Sequence, residues 1–128
     1  MADKITGFLI DVTRQMNARP VEFENNLENI YKLLDIDLID VAVCRVGDKA
    51  YDFIVDDEGL LKAGAIPSVF DADGRPVLVG NVLVVNSNED GDFTSLNDKD
   101  VENLCEHVKL VVFSDKLSRL CVFGAEQE

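Results

Sequence analysis

The sequence predicts an α+β fold: a mostly antiparallel sheet of about six to seven strands with two helices packed on one face. Three observations predict it. Short apolar runs with a period near two recur along the chain, divided by Gly- and Asp-containing turns. Only two windows, one after Asn25 and one after Asn97, switch to helical spacing. With 47% hydrophobic residues in 128, there is material for one core and no linker to divide it. Residues 1–124 are read as a single domain, and the acidic stretch 125–128 is expected to be a disordered tail.

In chain order, Lys4 to Val12 alternates as a strand, with Gly7 marking a bend or bulge. Val21 and Phe23, after Pro20, make a short edge strand. Phe23, Leu27, Ile30, Tyr31 and Leu34 then share a helical face, with Asn25 as the cap and Glu28 in the reaching-back position of a capping box. Leu38 to Val46 is apolar on both faces and reads as a central strand. A Gly47–Asp48 turn returns it as Ala50 to Val55, and Leu60 and Leu61 extend that meander.

Residues 63–74 carry Gly64, Pro67 and Gly74 and read as a long irregular connection, a candidate lid or ligand loop. Val77 to Val85 follows as a core strand interrupted at Gly80 and Asn81. Asn97 caps the second helix with Asp100 three residues on. Leu96 and Val101 form its hydrophobic staple, and Val101, Leu104, Cys105 and Val108 its buried face. Two closing strands, Lys109 to Phe113 and Arg119 to Phe123, flank a turn at Ser114 to Lys116. Val111, Val112, Leu120 and Val122 offer an edge at which a homodimer can pair.

Charge is the outlier in composition. Twenty-five acidic residues against 12 basic give a formal charge of -13. Direct nucleic-acid binding relies on Lys and Arg displacing condensed counterions, so it is disfavoured, as is an anionic membrane surface. A basic protein, including one that normally holds nucleic acid, is the partner such a field attracts. The N-terminal segment lacks the basic-then-apolar order of a secretory signal, and no apolar run approaches the roughly 20 residues that span a bilayer, so the cytosol is the expected compartment. Cys44, Cys105 and Cys121 are odd in number and far apart, which fits reduced thiols rather than a disulfide framework.

VDDEGLLK at Val55 to Lys62 and LVGNVLVVNSNEDGDFTSL at Leu78 to Leu96 resemble the family called domain of unknown function 3846. The shared order is an acidic Gly turn after a strand, a Val-Gly-x-Val strand, a Gly-Asp-aromatic turn, then Ser-Leu and an acidic helix start. The resemblance spans roughly Ile5 to Val108. It implies a fold and a setting among phages and other mobile elements, and it brings no catalytic residues.

Read as chemistry, Asn86, Asn88, Asp90, Gly91, Asp92 and Asn97 fall on an EF-hand-like frame. Asn97 replaces the bidentate Glu at its last position, and a strand enters where a helix should, so a solvated strand-to-helix turn is the preferred reading and no metal is assigned. His107 and Cys105 are two apart on a helix and diverge, so they do not make a ligand or nucleophile–base pair. Asp56, Asp57, Asp71 and Asp73 sit at turns, where Asp caps backbone amides. GxSxG, HExxH, P-loop and dinucleotide fingerprints are absent. The expectation is therefore a protein without catalytic residues or cofactor. Its candidate binding surface is an acidic face of Glu89, Asp90, Asp92, Asp98, Asp100, Glu102 and Glu106, opposed only by Lys99. The alternative is a small-molecule or metal-binding domain using the 63–74 loop and the 86–97 turn.

Overall fold

The computed structural model describes residues 3–58 and 65–128. The predicted meander extension at Leu60 and Leu61 lies outside the described residues, as does the start of the 63–74 segment. The elements are β1 (Lys4–Ile10), β2 (Ala18–Glu24), α1 (Leu27–Leu34), β3 (Ile39–Val46), β4 (Lys49–Asp56), β5 (Pro67–Phe70), β6 (Pro76–Val79), β7 (Val82–Ser87), β8 (Phe93–Thr94), α2 (Asp98–Glu106), β9 (Val108–Val112), β10 (Ser118–Val122) and β11 (Ala125–Gln127). Seven strands form the larger sheet in the order β11-β3-β4-β7-β1-β2, with β8 added to β7. A second sheet runs β6-β5-β10-β9. Most pairs are antiparallel; β5 and β10 run parallel. The α+β class is as the sequence predicts.

Strand alternation distributes the core to both faces of the larger sheet. Phe8, Ile10, Phe53, Val82 and Val84 point to one face, where Leu104 of α2 and Val69, Cys121 and Val122 of the second sheet complete the larger apolar cluster. Leu9, Ile54, Leu83 and Val85 point to the other, where Ile30 and Leu34 of α1 cover them. The two helices thus cover opposite faces of the larger sheet rather than the one face expected, because successive residues of the central strands are apolar and both faces need cover.

Several local expectations change. The cap of α1 is Asn26, whose side chain accepts the Asn29 amide, while Asn25 donates to the Phe93 carbonyl and ties the helix entry to β8. Gly7 sits in regular register opposite Val21. Its requirement is space, since a Cβ there would lie 2.9 Å from Leu83 Cδ1 and 3.1 Å from the Val84 carbonyl oxygen. The predicted Val77–Val85 strand is two strands, in different sheets. Gly80 separates them with φ at +77°, a conformation L-residues rarely adopt, and the Asn81 carboxamide takes up the Val12 amide.

The 63–74 segment contains β5, whose Ser68, Val69 and Phe70 are buried, so its centre is core strand rather than loop. β3 lies next to the sheet edge, and it is not apolar-buried on both faces: Val41 and Val43 are exposed with Arg45 on one face, while Cys44 and Val46 are buried on the other. The expected loose tail is β11. Ala125 is small enough to bury, and Glu128 pairs with Arg45 at 3.0 Å. Among the cysteines, Cys44 and Cys121 are buried, with pKa values pushed up to about 11 by burial, whereas Cys105 is exposed and leaves the predicted apolar face of α2.

Candidate functional site

The turn after β7 and helix α2 carry the candidate site. Within the turn, Asn88 folds the chain onto itself: its side-chain oxygen accepts the Asp90 and Asp92 amides, both at 3.0 Å, and its backbone amide donates to the Asp92 carbonyl. Asn97 then starts α2. Its side chain accepts the Asp100 amide at 2.9 Å, and the Asp100 carboxylate accepts the Asn97 amide at 3.0 Å, the reciprocal capping box that the spacing predicts.

That box has a consequence for Asp100. A carboxylate that reaches back to the cap turns along the helix toward the sheet, and here it is 3% exposed. One oxygen accepts Lys49 Nζ at 2.8 Å and Tyr51 OH at 3.2 Å. The other accepts Asn86 Nδ2 at 2.9 Å besides the Asn97 amide. Burial works to raise the Asp100 pKa, but the Lys49 bond, the Asn97 amide and Asn86 outweigh it and hold the carboxyl below its ordinary value. Burial, with Asp100 adjacent, raises the Tyr51 phenol and keeps it a protonated donor.

One turn further along the helix, Asn103 donates to the Val46 carbonyl at 2.8 Å and to Tyr51 OH at 3.1 Å. His107 closes the helix, with Nδ1 2.8 Å from the Asn103 carbonyl oxygen, as expected of a half-buried histidine at a helix C-terminus. Through these bonds the inner side of α2 is fastened to β3, β4 and β7.

Asp100 therefore leaves the predicted acidic face, since its charge is met by Lys49 and by three further donors. Glu89, Asp90, Asp92, Asp98, Glu102 and Glu106 remain exposed. The structure places three of them at the turn and three along α2, with Lys99 among them. Sequence reasoning missed Lys49, Tyr51 and Asn103 and placed Asn86 in the EF-hand-like frame, whereas all four fix the helix. The signal for them was the capping box itself, because a reaching-back carboxylate that is buried demands donors from the sheet beneath.

The EF-hand-like frame is occupied by local bonding. Asn88 caps the turn, Asn97 caps α2, and Asn86 donates to both Asp100 and the Ser95 carbonyl. Among the described residues no group of three or more His, Cys, Asp or Glu side chains is placed to hold a metal ion. No helix among them is long and apolar enough to cross a membrane.

Fold and site define a two-sheet α+β domain that presents an acidic turn and helix on a hydrogen-bonded base. Its sequence matches the family model described as Domain of unknown function (DUF3846) over residues 5–109, and the chain belongs to that family. The match ends at the start of β9, so β10 and β11 lie beyond it. No curated protein and no solved structure matches the chain.

Proposed function

We propose that this chain is a non-enzymatic accessory protein of a phage or other mobile element, acting in the cytosol by binding a basic macromolecular partner through the turn after β7 and the outer side of α2. The observation that carries the reading is the contrast across α2. Its inner carboxylate is consumed by four donors, while six outer carboxylates are exposed on a turn and helix whose backbone is fixed by side-chain bonds. A fixed row of anions accelerates encounter with a basic groove and loses little freedom on docking. A protein that ordinarily holds nucleic acid offers such a groove.

The test is affinity capture from lysate of the source organism, repeated with Glu89, Asp90, Asp92, Asp98, Glu102 and Glu106 changed to Gln or Asn. The expected result is loss of a basic nucleic-acid-binding protein that duplex DNA also competes away. Capture that is indifferent both to the six substitutions and to duplex DNA would contradict the proposal.

A further inference from the structure

Besides the two-residue β8, four strands border the two sheets, and three of them are blunted. β2 carries Pro20 and the exposed Glu22 and Glu24, β6 opens on Pro76, and β11 displays Glu126. On the open half of β3, the Asp40 carboxylate accepts the neighbouring Val41 amide at 2.9 Å. β9 has no proline, and its one charged side chain, Lys109, carries its ammonium over the Phe123 ring, 5.4 Å from the centroid. The strand reads VKLVV, and no Asp or Glu occurs between Glu106 and Asp115. Leu110 and Val112 are 64% and 66% exposed, the two highest values among the large apolar side chains of the described residues.

The hydrogen-bond parity of β9 is fixed at both ends. Phe113 donates its amide to the Leu117 carbonyl, and Phe123 donates to the His107 carbonyl. Odd-numbered residues of this strand therefore face β10, and the backbone groups of Val108, Leu110 and Val112 face outward. We infer that β9 pairs antiparallel with β9 of a second copy about a two-fold axis at Val111, joining two four-stranded sheets into one.

Antiparallel pairing suits a two-fold axis, since the same patch serves both copies and the contact closes. With the axis at Val111, Leu110 lies opposite Val112 of the second copy, in a hydrogen-bonded pair made twice, and the four exposed side chains meet on one face. In a chain of charge -13 this acid-free strand is also where two like-charged molecules repel least.

The full-length protein in sedimentation equilibrium tests it. The expected mass is twice the 14.2 kDa of the chain, dissociating on dilution. Leu110→Pro removes an outward amide that β10 does not use and should give a monomer with an unchanged far-UV circular dichroism spectrum. Should that variant unfold, Leu110→Glu serves instead: at this exposed position it should weaken the dimer about tenfold, and Val112→Lys added to it should restore the dimer, because positions 110 and 112 pair across the axis. A monomer at every concentration of the wild type overturns the inference, as does a dimer that withstands Leu110→Glu.

Discussion

The two sides of α2 are made of the same chemistry and have opposite fates. Asp98 and Asp100 are two residues apart, yet one stands in water and the other is 3% exposed beneath four donors. The difference comes from position on the helix: the third residue after the cap is the one whose carboxylate can reach back. Counting acids along a sequence measures charge, whereas the capping register decides which of them a partner can meet.

The inner side should break most visibly. Asp100→Ala leaves Lys49, Tyr51, Asn86 and the Asn97 amide without their acceptor, and a loss of about 3 kcal/mol in denaturant unfolding is expected. Lys49→Met is milder, on the order of 1 kcal/mol, because the Lys49 side chain is 45% exposed and water replaces much of what is lost. Smaller again is any single outer change such as Asp98→Asn or Glu102→Gln, for which thermal unfolding should move by no more than about 0.5 kcal/mol.

Acid sharpens the same contrast. The Asp100 pKa is lowered in the folded protein, so its contribution to stability is complete above the unfolded carboxyl value of 3.8 and is lost as pH falls through the lower folded value. Unfolding free energies below pH 4 should fall less steeply in Asp100→Asn than in wild type. The exposed Asp115 is also held low, by Arg119, and should titrate in both proteins alike.

Much of this was legible in sequence wherever the signal is local. The Asn97–Asp100 box and the β3–β4 turn at Gly47 both depend on neighbours within a few residues. What escaped the sequence depends on distant partners. The capping box calls for donors to a buried Asp100 but does not say which residues supply them, and Lys49 and Tyr51 are 51 and 49 residues away. Gly80 and Asn81 signalled a break between β6 and β7, but which sheet each half joins is decided by β5 and β1. The last residues looked like tail because Glu126 and Glu128 are charged; Arg45 and the free end of β3 make them a strand. Within 63–74, Gly64, Pro67 and Gly74 outweighed the short apolar run at Val69 and Phe70.

The most direct test of the account is partner capture across a salt series, comparing two variants of equal charge. One has the six outer carboxylates neutralised; the other has six exposed acids neutralised elsewhere, at Glu22, Glu24, Glu28, Asp37, Asp73 and Glu126. Location predicts that capture disappears only in the first variant, and that the wild-type interaction weakens steeply as salt rises. Equal loss in both variants would mean that net charge alone is responsible, and would contradict the assignment of the site to the outer side of α2.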